Sequence, residues 1–147
     1  MSARVFVDTN VLVYARDASE PKKQGMAAHW MATLWANQAG RLSYQVLQEF
    51  YVTVTVKLSP GLDKEVTRRD VEALWAWQPL TADAQVLAGA WLLQDRYLLP
   101  WWDALIVAAA RISGCQYLLS ENFQEGLDLA NLTLVNPFLW SPAEMGL

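Results

Sequence analysis

Short apolar runs alternate with longer stretches of helical periodicity along this chain, and no other feature narrows its fold as far. Arg4-Val-Phe-Val, Arg41-Leu-Ser-Tyr, Cys115-Gln-Tyr-Leu-Leu and Leu132-Thr-Leu-Val read as short strands. Helical patterns fill the intervals, so the alternation predicts an α/β fold with a mainly parallel sheet. Val11-Leu-Val-Tyr-Ala is expected to continue as a helical turn after an Asp-Thr-Asn corner. Beyond Ser19-Glu-Pro-Lys-Lys, the spacing of Met26, Trp30, Met31, Leu34 and Trp35 predicts a helix that Gly40 stops. A helix is expected over about 45–57, although the run Tyr51-Val-Thr-Val-Thr-Val locally favours strand.

Ser59-Pro-Gly breaks the chain, a more polar helix spans about 63–77, and Gln78-Pro-Leu is a candidate third strand. A further helix over about 81–97 ends before Pro100. Residues 101–113 form an Ala-rich, nearly all-apolar helix that Gly114 terminates, which places it centrally. No internal repeat, linker or low-complexity stretch interrupts the pattern, and 147 residues suit one compact domain over 1–147.

Composition bounds the function. Apolar residues make up 54% of the chain and charged residues 18%, which excludes disorder and suggests an apolar face for a partner. The longest apolar runs, such as 104–110, are far too short to span a bilayer, so no membrane role is expected. The start, Met-Ser-Ala-Arg, lacks the layout of a signal peptide, and Cys115 alone allows no internal disulfide, so the cytoplasm is the expected compartment. A net charge of −4 is unusual for a protein that binds nucleic acid without sequence preference. Any such role must rest on local positive charge or a bound metal.

Three acids adjoin segments that read as buried: Asp8 in Val5-Phe-Val-Asp-Thr-Asn-Val, Glu49 in Gln45-Val-Leu-Gln-Glu-Phe-Tyr, and Asp103 in Trp101-Trp-Asp-Ala-Leu-Ile. Ionised carboxylates are costly in apolar surroundings, and three together repel unless a cation lies between them. A hard, oxygen-ligated divalent ion such as Mg²⁺ or Mn²⁺ is the natural occupant, and it points to phosphate chemistry. Singly, each acid has an ordinary explanation: Asp8 and Asp103 as helix caps, Glu49 as a solvated helix residue. Asn10 is either a turn residue or a partner that orients Asp8. Ligands of parallel sheets bind beyond the carboxyl ends of strands, and Asp8 and Ser120-Glu-Asn both lie just past such ends.

Val-Asp-Thr-Asn-Val-Leu-Val-Tyr, Gln-Val-Leu-Gln-Glu-Phe-Tyr-Val, Trp-Asp-Ala-Leu-Ile-Val-Ala-Ala-Ala and Leu-Leu-Ser-Glu-Asn-Phe-Gln-Glu-Gly resemble, in order and spacing, the four signature segments of the PIN domain. VapC-type toxins of bacterial toxin–antitoxin pairs are the most similar members. The resemblance implies a three-layer α/β/α sandwich and a metal-dependent ribonuclease that leaves a 5′-phosphate and a 3′-hydroxyl. It also implies a homodimer built on helices of the N-terminal half and a small antitoxin partner. Asp8, Glu49 and Asp103 then fall on the metal-binding acids. The fourth acidic position falls on Asn122, a neutral ligand at most, with Glu121 as a possible substitute and Ser120 as a hydroxyl that bonds an acid or a water.

The remaining motifs are bland by comparison. His29, the only histidine, sits on a helix away from these segments, and Cys115 reads as a small core residue. Arg16, Lys22 and Lys23 could border the cleft, while Lys57, Lys64, Arg68 and Arg69 cluster in the middle helices. Trp30, Trp35, Trp75, Trp77 and Trp91 are expected in the core or a dimer interface; Trp101 and Trp102 are candidate cleft walls. The competing reading is a PIN domain that binds RNA or protein without cleaving it, which Asn122 and the acidic balance favour. A phosphoacceptor domain would need an acidic pair at the first strand end and a late lysine, and an Asp-x-Asp phosphatase a second acid where Asn10 stands.

Overall fold

The computed structural model describes residues 3–124 and 128–147. Strand β1 (Val5–Val7) leads into α1 (Thr9–Arg16) and α2 (Pro21–Ala36), and β2 (Gly40–Arg41) follows. Helix α3 (Tyr44–Val52) runs on as a π-helical turn (Thr53–Lys57), and α4 (Lys64–Leu74) as a 3₁₀ turn (Trp75–Trp77). Helices α5 (Ala84–Tyr97) and α6 (Trp101–Ile112) precede β3 (Tyr117–Leu119), β4 (Asp128–Leu129) and β5 (Leu132–Val135). Among the described residues the sheet has the order β2-β1-β3-β5-β4. All pairings are parallel except the β4–β5 hairpin.

The topology follows from burial and handedness. Val5, Phe6, Val7, Leu118 and Leu119 are wholly buried, which a strand tolerates only when helices cover both of its faces. Strand β2 lies on one side of β1 and β3 on the other, so right-handed crossovers place their helices on opposite faces of the sheet. The result is the expected three-layer α/β/α sandwich with a mainly parallel sheet. Helix α6 is buried continuously from Ala104 to Ala110, packing on α5 and on β3 and β5. Its alanines permit close approach: a Cβ added at Gly89 of α5 would lie 3.7 Å from that of Ala108. Gly114, at φ +74°, ends the helix in a conformation that glycine adopts freely.

Several local expectations change. The first helical turn is a full helix, because Asp8 caps it at Thr9. Helix α2 ends at Ala36, four residues before Gly40, which instead lies in β2 beneath the ring of Trp77; a Cβ there would approach the indole to 2.4 Å. Tertiary packing overrides the strand propensity of 51–56: the chain stays helical, with Thr55 Oγ1 donating to the Tyr51 carbonyl at 2.6 Å. Gln78-Pro-Leu is no strand. Leu80 makes only an isolated parallel bridge with Ser43, its N–H donating to Leu42 O and its own carbonyl accepting from Tyr44 N–H, both at 3.0 Å. Strand β4 had no apolar pattern to reveal it; it arises from a hairpin turn in which Ala130 and Asn131 both take positive φ. Trp30 and Trp77 are core residues, whereas Trp35, Trp75 and Trp91 are 40%, 55% and 57% exposed.

Candidate active site

The crossover from β1 departs toward β2, and the chain beyond β3 proceeds toward β5. The carboxyl ends of β1 and β3 therefore flank a topological switch point, the place where open parallel sheets form a ligand crevice. Asp8 and Ser120 are the first residues past these two ends. The Asp8 N–H donates to Leu119 O at 3.0 Å, and the Ser120 N–H to Val135 O at 3.0 Å, so sheet-type bonding fixes both backbones.

Asp8 is both a helix cap and a candidate site residue, one role per oxygen. Its Oδ1 accepts from the Thr9 N–H at 2.7 Å and so caps α1. Its Oδ2 accepts from Ser120 Oγ at 2.9 Å and from Asn10 Nδ2 at 3.3 Å. Asn10 spans the crevice: its Nδ2 also donates to Ser120 Oγ at 3.0 Å, and its Oδ1 accepts the Glu121 N–H at 3.2 Å. Asn10 is thus an orienting residue for Asp8. Burial pushes the Asp8 carboxyl up to about 6, against the opposing pull of the Ser120 and Thr9 hydrogen bonds; the charges of Glu49 and Asp103 raise it further.

The other two acids approach from helices. Glu49 lies on the exposed side of α3, where Gln45, one turn earlier, donates to its Oε1 at 2.8 Å and Thr9 Oγ1 donates to its Oε2 at 3.0 Å. Asp103 occupies the first turn of α6, whose N-cap residue Pro100 offers no side-chain cap, so it favours the helix dipole without capping. Desolvation raises the Asp103 carboxyl, and the charge of Glu49 adds to this. All three acids are therefore within electrostatic reach of one another.

The β3 loop divides its two polar side chains. Asn122 is exposed, and its N–H donates to Ser120 Oγ at 3.1 Å. The Glu121 carboxylate turns the other way, accepting from Tyr14 Oη at 2.7 Å and from Lys23 Nζ at 3.0 Å. Lys23 also lies 4.8 Å from the Tyr14 ring centroid and 5.1 Å from that of Phe138. Two of the cations considered for the cleft are engaged elsewhere: Lys23 here, and Arg16 in a bidentate pair with Asp70 at 2.7 and 2.5 Å. Sequence reasoning missed Thr9, Gln45 and Tyr14; of these only Gln45 carried a signal, its i,i+4 spacing from Glu49.

The donor set suits a hard divalent cation: carboxylate oxygens from Asp8, Glu49 and Asp103. In this conformation, however, no three His, Cys, Asp or Glu side chains among the described residues converge closely enough to ligate one ion.

The family model of the PIN domain matches residues 5–124. No curated protein is a significant match. Among solved structures, a toxin–antitoxin complex from Klebsiella pneumoniae aligns with a TM-score of 0.62 at 18% identity, over 90% of this chain and 97% of that one. VapBC2 from Rickettsia felis, bound to a DNA fragment from their promoter, aligns with a TM-score of 0.59 at 20% identity, over 88% and 96% of the two chains. At such identities the likeness is one of fold.

Proposed function

Because this chain belongs to the PIN domain family, we propose that it is a metal-dependent endoribonuclease, the toxin of a toxin–antitoxin pair. The observation that carries this reading is the buried Asp8 carboxylate at the switch point, with Glu49 and Asp103 close enough to raise its proton affinity. Asp8, Glu49 and Asp103 would hold Mg²⁺ or Mn²⁺, with Asn122 as a neutral fourth ligand. Such an ion, when bound, supplies an activated water and offsets charge on the scissile phosphate. The protein's own contribution is orientation: Ser120, Asn10 and the Thr9 N–H fix both oxygens of Asp8, and Gln45 and Thr9 fix Glu49. Hydrolysis by water would leave a 5′-phosphate and a 3′-hydroxyl.

The fold neighbours are toxin–antitoxin complexes, which supports a small antitoxin as partner. Exposed Trp35, Val52, Val56 and Trp75 on the N-terminal helices support a homodimer. Among the described residues no helix is long and apolar enough to cross a membrane. The buried free thiol of Cys115, pushed up to about 12 by desolvation, is inert, and we place the protein in the cytoplasm. The second reading, an RNA- or protein-binding PIN domain without catalysis, draws support from the neutral Asn122 and the unconverged acids.

The deciding experiment is cleavage of a mixed single-stranded RNA pool with Mg²⁺ or Mn²⁺. Wild type should cleave, chelator should stop it, and Asp8→Asn and Asp103→Asn should each abolish it. A wild type inert with either ion refutes the catalytic reading and leaves the binding one.

A further inference from the structure

A groove of about 950 Å³ opens beside Glu49, between α3 with its π-helical extension and the start of α6. We propose that it is a subsite for an unpaired nucleotide of single-stranded RNA, with Trp102 as the surface on which the base stacks and Lys57 as the contact for its phosphate. The proposal rests on the ribonuclease reading of the adjoining acids and extends it to how the strand is gripped.

Three observations carry it. Trp102 is the second residue of α6, immediately before Asp103, and remains 65% exposed, so a large aromatic surface faces solvent at the margin of the acids. The walls of the groove are mainly apolar, but Gln48, Thr53 and Thr81 add polar groups beside Tyr44. Carboxamides and hydroxyls both donate and accept hydrogen bonds, as the edge of a nucleobase requires. Lys57 is the only cation of the lining, and among the described residues its ammonium joins no ion pair, unlike Arg16, Lys23 and Arg69. In a chain of net charge −4, an unpaired cation in the groove is where a phosphate can be held. A paired helix hides its base faces, so a stacking surface selects single strands.

Fluorescence anisotropy of a short labelled single-stranded RNA, in chelator so that nothing is cleaved, tests the subsite. Trp102→Leu, apolar but without a ring, should weaken binding about tenfold, equivalent to about 1.4 kcal/mol, whereas Trp102→Phe should retain most of it. Trp91→Ala, which removes an exposed indole outside the groove, should bind as wild type does. Lys57→Gln should weaken binding and reduce the salt slope by about one. Equal affinity of Trp102→Leu and wild type, or no RNA binding by wild type at all, overturns the proposal. So does a Trp102→Leu protein that loses self-association in light scattering while its RNA affinity is unchanged, since the groove would then belong to a protein partner. The two readings fail separately. Trp102-dependent binding without cleavage in metal removes the nuclease and keeps the subsite; cleavage in metal with KM indifferent to Trp102→Leu does the reverse.

Discussion

The two sides of the crevice are held in opposite ways. On the sheet side, Asp8, Asn10 and Ser120 form a closed set in which each polar atom has a partner and Asp8 and Ser120 are almost wholly buried. On the helix side, Glu49 is exposed, Asp103 half-buried, and the bonds to Glu49 come from a flexible carboxamide and a threonine hydroxyl. The sheet side fixes a charge where water cannot offset it; the helix side keeps charges where solvent can. A substitution on the first side should therefore register in stability as well as activity, and on the second in activity alone.

The largest effect should come from Asp8→Asn. In the unfolded chain Asp8 titrates near 3.8, and in the folded chain at about 6. Below the lower value both states are protonated and the residue costs nothing; as pH rises through the window the native state bears the buried charge. A difference of about two pH units corresponds to about 3 kcal/mol. Relative to wild type, metal-free Asp8→Asn should accordingly gain up to that amount of stability between pH 4 and pH 7, on top of a pH-independent loss because its single amide oxygen cannot accept all the bonds that the carboxylate does, while cleavage is lost. Denaturant melts at the two pH values check this, and a Mg²⁺-induced rise in melting temperature should occur in wild type only. An equal difference from wild type at both pH values would show that Asp8 is not desolvated as described.

Ser120→Ala comes next. Removing a buried hydroxyl that donates to Asp8 and accepts from Asn10 and the Asn122 N–H should cost about 1–3 kcal/mol in a denaturant melt and slow cleavage. Asp103→Asn, on the helix side, should abolish cleavage yet stay within about 0.5 kcal/mol of wild type. If it destabilises as strongly as Ser120→Ala, the contrast between the two sides is wrong.

The smallest effects concern the β3 loop. Asn122→Asp should lower the metal concentration needed for cleavage, because the added charge attracts a cation by roughly 1–4 kcal/mol at about 4 Å in a partly solvated cleft. Glu121→Gln should change cleavage little, since its carboxylate answers to Tyr14 and Lys23. Abolished cleavage in Glu121→Gln, with no response in Asn122→Asp, would reverse the two roles.

The sheet side was also the more legible in the sequence. An Asp after a uniformly apolar strand, and Ser120 after another, are local patterns, and right-handed crossovers bring them together with little freedom. The α/β fold followed from the same alternation. What could not be read depends on partners distant in the chain: Lys23, a candidate for the border of the cleft, is instead held by Glu121, 98 residues away. Trp35, Trp75 and Trp91 recur at helical spacing just as Trp30 does, and periodicity alone does not say which stripe faces the core. Strand β4 has no pattern of its own because the hairpin geometry of Ala130 and Asn131 imposes its pairing.

The isolated bridge at Leu80 bears on how this molecule can meet others. Strand β2, one rim of the sheet, is two residues long, and the bridge occupies the backbone just past it at Leu42 and Tyr44. Strand β4 at the other rim is equally short. A rim with so few free amides offers no template for an added strand. Among the described residues the two short rims therefore disfavour recruitment of a partner by sheet extension and leave the helices as the broader surfaces for assembly.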